Sequence, residues 1–492
     1  MAPSAVIIGA GVGGLACAIR LRAAGWDVTV LEKNTQVGGK MYEYTWDVYR
    51  WDTGPSVITM RHVFEDLFSA AGRRMEDYLT LEPLEPLTRY FYPDGTLLDA
   101  SSNLAAMVQS ISQLGEREVE GYLRYLAYAA RIHRITGPVF IYDRPPTLSS
   151  FARVPVTEWL SADPFRTMQQ AISQHVKSPK LRQLLGRFAT YVGGSPYLAP
   201  ATLNVIAHVE LAGGVWYPRG GIYQIARALA ALAVEMGVAL HTDTPVKRIQ
   251  IENRRATGVT TQSGAFFPAD ATISNADVTT TMNTLVDTDN QSMAYLTRLK
   301  NYEPSCSGFI MMLAVGRQFP QLAHHNIFFS DNYRAEFDAI FQQQVPPSSP
   351  TVYVSITSKT DTSHAPEGHE NWFVLVNAPA LSNVYDWRKE ADNYKETVYQ
   401  QLSLFGVDVR PYVQHEVIWT PWDLQQHSGA WRGALYGPSA NSRFTVFRRP
   451  HNRSAIIRDL YFAGGTTHPG GGVPMVVLSG KVAADFVVQD HP

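Results

Sequence analysis

The sequence predicts an α/β protein: a Rossmann-like dinucleotide-binding domain assembled from separate stretches of chain, a β-rich second domain, and a helical insertion. Three observations carry this. An apolar strand runs into G-x-G-x-x-G at Gly9, Gly11 and Gly14. A second glycine-punctuated unit returns in "GGVWYPRGGIYQIARALAALAVEMGVALHTDTPVKRIQIE". The chain then closes on "LYFAGGTTHPGGGVPMVVLSG", Leu460 to Gly480, with five glycines between Gly464 and Gly472. At 492 residues the chain is too long for one ordinary core, so two or three domains are expected.

Val6, Ile7 and Ile8 form an apolar run of the kind that suits a buried parallel strand. Gly9 permits the tight turn, Gly11 allows a pyrophosphate to approach backbone, and Gly14, with Gly13 beside it, lets the following helix pack closely. Leu15, Ala18, Ile19 and Leu21 give that helix its apolar face, and Gly25 stops it. "DVTVLE" is the second strand, and Glu32 at its end can accept hydrogen bonds from ribose hydroxyls. Gly38-Gly39-Lys40 and "WDTGPSVIT" follow, a second glycine turn suited to a long bound flavin rather than an exchanging nicotinamide.

Residues 101–211 read as mainly helical, most clearly over "SSNLAAMVQSISQLGEREVEGYLRYLAYAARIHRI". Tyr122, Tyr125, Tyr128 and Tyr142 there suit either a packed core or contact with a lipid surface or long apolar substrate. In the returning unit, Ile222, Ile225, Leu229, Leu232 and Met236 mark a helix ended by Gly237. "VALHTDTPVKRIQIE" then gives two strands around a proline turn, and "ATGVTTQSGAFFPADATISNAD" a hairpin and a further strand. Beyond residue 300, "CSGFIMMLAV", "TVYVSIT" and "WFVLVNAP" read as strands of another sheet. The expected division is residues 1–80, 212–285 and 445–492 for the dinucleotide domain, 81–100 and 286–444 for the β-rich substrate domain, and 101–211 for a helical, membrane-associating domain.

Composition narrows the function classes. A net charge of −2 without basic tracts gives no electrostatic case for nucleic acid. Cys17 and Cys306 fit no metal-ligand spacing and suggest a reducing compartment. His324-His325 has no carboxylate at ligand spacing, and neighbours on a strand are expected to point to opposite faces, so no metal is expected. With no leader and no apolar span, the expected location is cytoplasmic with peripheral membrane association.

"GAGVGGLACAIRLRAAGWDVTVLEK", "DTGPSVIT", "GGVWYPRGG", "ISNAD" and "THPGGGVP" together resemble the bacterial-type phytoene desaturases, a family of FAD-dependent carotenoid desaturases and related carotenoid oxidoreductases. The likeness spans nearly the whole chain. It implies FAD contacts from Gly9, Gly11, Gly13, Gly14, Glu32 and Lys40, where the family's arginine is replaced by lysine. It implies further contacts from the Asp52–Ser56 turn (Asp52, Gly54, Pro55, Ser56), from Arg219 to Gly221, from Val246, and from Gly464 through Pro474, including Gly465, Thr466, Gly472 and Val473. Each has a plainer reading: Arg219 bracing two loops, Asp52 capping a turn, Val246 filling a strand core. The helix after Gly472 would turn its N–H groups to the flavin.

The resemblance implies hydride transfer from an acyclic carotenoid to flavin, which makes a double bond on a membrane surface. Oxygen or a quinone is the expected acceptor, since no second dinucleotide fingerprint is present. Phytoene-type and 3,4-desaturase-type activities both fit. Carotenoid oxygenases or ketolases of the same family, a flavin amine oxidase and a non-enzymatic prenyl-lipid carrier are the alternatives. No residue is identified as the catalytic base. His468 reads either as catalytic or as part of the loop's shape.

Overall fold

The computed structural model describes residues 2–147, 155–287, 289, 291–444 and 448–492. A five-stranded parallel sheet runs in the order Leu460–Phe462, Ala271–Ser274, Ser4–Ile8, Asp27–Leu31, Ala239–His241. Ile7 lies level with Val30 on one side and Ile273 on the other. Both faces of this sheet are covered, which is why its strands read as continuous apolar runs. Chain from three distant regions therefore builds one sheet, and the two glycine clusters meet at its carboxyl edge.

The helix Val12–Ala23 lies against the C-terminal helix Val473–Asp490. A Cβ at Gly480 would stand 2.5 Å from Gly13 O, so glycine is needed for that approach. The two strands around Pro245 part company: Ala239–His241 joins the parallel sheet, whereas Val246–Glu252 starts a separate three-stranded antiparallel sheet.

A seven-stranded sheet forms the second layer, in the order Val413–Trp419, Ser307–Val315, Glu370–Ala378, Val352–Ser355, His325–Phe328, Thr88–Phe91, Leu97–Ala100. Every residue of Ser307–Val315 is buried, so this strand is the spine of the sheet. The helix Trp387–Leu404 covers one face through Trp387, Tyr394, Val398 and Leu402. Sequence reading found only strands here, because charged and polar residues separate the apolar positions of that helix.

The region 101–211 is helical, with Glu116–Thr136 its longest element among the described residues. Its tyrosines are turned inward, so Tyr122, Tyr125 and Tyr128 are not available to lipid. Burial of each ring is matched by a partner for its hydroxyl where one is needed: Tyr125 O–H donates to Asn204 Oδ1 at 2.8 Å and Tyr128 O–H to Asp163 Oδ2 at 2.6 Å. Tyr142 is half-buried against His62 and His133.

Candidate functional site

A cavity of about 390 Å³ runs from the glycine turns to the seven-stranded sheet and the helical region. At one end its wall is largely backbone, from Gly11, Gly38, Gly39, Gly464, Gly465 and Gly472. Both helices that start there, at Val12 and at Val473, lack a side-chain cap, so their first N–H groups are free to meet a ligand. Pro474, in the first turn of the second, has no N–H to satisfy.

Asn275, which follows the strand Ala271–Ser274, explains the first glycines. Its Oδ1 lies 2.4 Å from where a Cβ on Gly11 would be, and its Nδ2 lies 2.9 Å from one on Gly13. That Nδ2 donates to Ala463 O at 2.8 Å, so one amide ties the first glycine turn to the last. Gly14 meets backbone instead, with a Cβ there 2.3 Å from Gly9 O. Gly9, Gly13 and Gly14 thus shape the turn and do not line the cavity.

Glu32 is buried at the end of its strand, where Ala10 N–H donates to Oε2 at 2.8 Å and Asn34 N–H to Oε1 at 2.9 Å. Each oxygen keeps a lone pair, but Glu32 stands behind the glycine turn and is not among the residues that line the cavity. Lys40 opens onto the cavity, and its ammonium donates to Ala434 O at 3.0 Å and Leu435 O at 2.7 Å. Enclosure by protein lowers its pKa, and Asp277 acts in the opposite direction.

Thr53, Gly54, Pro55 and Ser56 line the cavity, but Asp52 stands behind them. Its Oδ1 accepts from Arg50 Nη2 at 2.5 Å and from Tyr223 N–H at 3.0 Å, so it braces the turn against the returning unit. Arg219 is paired with Glu82 at 2.7 Å, and its side chain is 72% exposed, away from the cavity. Val246 is half-buried opposite Thr261 at the start of its strand. The structure therefore places Asp52, Arg219 and Val246 outside the cavity wall.

His324 and His325 do not point apart: their rings meet edge to face at 4.4 Å, because His324 precedes the strand and escapes its alternation. His325 Nδ1 is 2.8 Å from the hydroxyl of Tyr353, a cavity residue that also donates to Ser56 Oγ at 2.7 Å. Nearby, Glu336 is fully buried behind Thr351 and Asn377, and burial raises its carboxyl to about 7. The folded chain then holds a proton that the unfolded chain has released, so stability falls as pH rises from about 4.5 to about 7. Glu336→Gln is expected to remove that slope from unfolding free energies measured across this window.

The C-terminal loop is held by residues that sequence reading passed over. Arg449 Nη1 donates to Gly465 O at 2.9 Å, and Asn452 Nδ2 donates to His468 O at 3.0 Å and Ser479 Oγ at 3.0 Å. The only signal for them was that "FRRPHNRS", which contains both, also matches the pattern of the phytoene desaturases. His468 is buried, neutral by desolvation with its pKa near 4, and donates through Nε2–H to Asp143 O at 2.8 Å. It fastens the loop to the helical region without lining the cavity. His468→Ala is expected to keep its bound flavin and to lose less than about tenfold in turnover, the scale of one structural hydrogen bond.

These features fit a flavin dinucleotide: a backbone wall from Gly11, Gly38, Gly39, Gly464, Gly465 and Gly472, two uncapped helix starts, an acid at the second strand's end, and a lysine at the glycine turn. Comparison with known proteins agrees. Residues 12–488 match the family described as flavin containing amine oxidoreductase. Over 485 residues, 98% of this chain and 97% of the relative, the sequence is 38% identical to 4,4'-diaponeurosporene oxygenase of Staphylococcus aureus strain Mu50. Among solved structures, an oxidoreductase from Methanosarcina mazei superposes with a TM-score of 0.67 at 17% identity, covering 99% of this chain and 100% of the other. Cyclohexylamine oxidase from Brevibacterium oxydans gives 0.62 at 15%, covering 100% of both chains. The two structures establish the fold; the sequence match establishes kinship with a carotenoid-modifying enzyme. Taken with the glycine cradle, they make this chain an FAD-dependent oxidoreductase that belongs to the flavin-containing amine oxidoreductase family.

Proposed function

We propose that this protein oxidises an acyclic carotenoid, introducing oxygen as the name of its 38% identical relative states. The observation that carries the reading is the cavity's continuity. From the glycine cradle it passes between Ile310, Ile327, Phe373, Leu375, Trp419 and Leu424, a wall suited to a long hydrocarbon. FAD bound at the cradle supplies hydride-accepting chemistry. The protein's part is to lay the hydrocarbon along that wall, keep water out, and offer uncapped helix N–H groups where negative charge develops.

Arg187 in the wall is balanced by Glu210, and Lys40 faces Asp277. The cavity therefore has no surplus negative charge to hold an ammonium substrate, which speaks against an amine oxidase reading. We further propose that the chain collects its substrate at a membrane surface and passes electrons to oxygen or a quinone. Among the described residues no helix is long and apolar enough to cross a membrane.

The test is incubation of the flavin-loaded protein with phytoene, neurosporene, lycopene and a 1-hydroxy carotenoid in liposomes under isotopically labelled oxygen, with mass analysis of the pigments. Label in the product supports oxygenation. Loss of hydrogen alone would establish the desaturation expected from sequence resemblance. If no pigment changes, the carotenoid reading fails.

A further inference from the structure

Arg187, in the cavity wall, forms a buried ion pair with Glu210 behind it. Arg187 Nη2 lies 2.5 Å from Glu210 Oε1, and the two side chains are 6% and 1% exposed. Arg187 comes from the short helix Arg187–Val192 and Glu210 from Val205–Gly213. The rest of the cluster is equally well placed. Arg187 Nε donates to Tyr90 Oη at 2.6 Å and Nη1 to Tyr191 Oη at 3.0 Å, while Tyr191 O–H donates to Glu210 Oε2. The guanidinium lies over the rings of Phe188, Tyr191 and Tyr90 at 4.5, 5.2 and 5.4 Å.

Stability does not account for such a pair, because replacing a buried ion pair by packed apolar side chains is often neutral or favourable. A cavity meant only for hydrocarbon would be better lined that way. Arg187 and Tyr191 both line it. A guanidinium has five N–H donors, and the hydrogen bonds among the described residues use one each on Nε, Nη1 and Nη2. Donors are therefore left over, and the hydroxyl of Tyr191 is already committed to Glu210. The pair is also electrically balanced, so an anion would bring an uncompensated charge into a low-dielectric space. What the cluster suits is a neutral oxygen that accepts hydrogen bonds.

We propose that Arg187, held by Glu210, Tyr90 and Tyr191, determines specificity by binding a carbonyl oxygen at the end of a long polyene, such as an aldehyde. The inference rests on the carotenoid reading above and deepens it: the chain receives or retains a substrate already oxygenated at one end.

The test uses flavin-loaded full-length protein and two probes of equal length, a polyene aldehyde and the matching polyene hydrocarbon, both in detergent micelles. Tryptophan fluorescence quenching gives both dissociation constants, and the aldehyde's absorption band reports hydrogen bonding by moving to the red. Wild type is expected to bind the aldehyde about tenfold more tightly, the worth of one hydrogen bond from a charged donor, with a red shift. Joint replacement Arg187→Met and Glu210→Met is expected to bring that ratio to about one and abolish the shift. Arg187→Lys keeps the charge and loses the planar fork, and should fall between, so the test survives if the double variant does not fold. Equal binding of both probes by wild type, or a ratio and shift unchanged in the variants, would overturn the inference while leaving the carotenoid reading intact. If wild type binds neither polyene, the carotenoid reading fails and the inference falls with it.

Discussion

Gly14→Ala is expected to give a protein that purifies without flavin. The added Cβ would lie 2.3 Å from Gly9 O and 3.1 Å from Asn275 Cβ. Neither neighbour can rotate away: one is backbone at the tip of the central strand, and the other is the root of the side chain that bridges both glycine turns. The helix Val12–Ala23 must therefore shift, and its uncapped N–H groups move with it. Overpacking of this kind costs about 1–3 kcal/mol. The larger consequence is geometric, since a cradle defined by backbone loses its ligand when the backbone moves. Flavin absorbance per mole of protein and the denaturant midpoint measure the two effects. Gly213→Ala is the control: nothing lies within 4 Å of its Cβ position, and it should keep its flavin. A fully loaded, yellow Gly14→Ala protein would remove the cradle argument.

Glu210→Gln, behind the cavity wall, is expected to be strongly destabilising for an isosteric change, at about 3–5 kcal/mol. Gln retains a hydrogen-bond acceptor for Arg187 but removes the charge. The guanidinium is then left buried without a counter-ion, at a site where the side chains are 6% and 1% exposed. Replacing both members by methionine should cost much less than this single change, because no orphaned charge remains. Urea unfolding of the three proteins tests the inequality. The exposed pair Arg73–Glu235, with side chains 45% and 44% exposed, sets the scale for the surface. Glu235→Gln there should change stability by no more than about 1 kcal/mol. Equal costs for Glu210→Gln and Glu235→Gln would show that solvent reaches the cavity pair.

Sequence by itself determined the dinucleotide sheet, its two glycine turns, the closing strand and helix, three of the seven strands of the second sheet and the flavin family. Those features are local. A period of 2.0 or 3.6 residues, a glycine whose carbonyl neighbour lies a few residues away, and an acid at a strand's end are all written within short windows. Only the tertiary structure decided which side chains meet. Asn275 reaches Gly11 and Ala463 across the chain, Arg449 finds Gly465, and Tyr90, Arg187 and Glu210 gather from three elements. It also turned Tyr122, Tyr125 and Tyr128 inward, brought the rings of His324 and His325 together, and set Asp52 and Arg219 to bracing. The reason is common to all of them. A buried polar or aromatic group must be satisfied by whatever partner packing delivers, and that partner's position in the sequence is free.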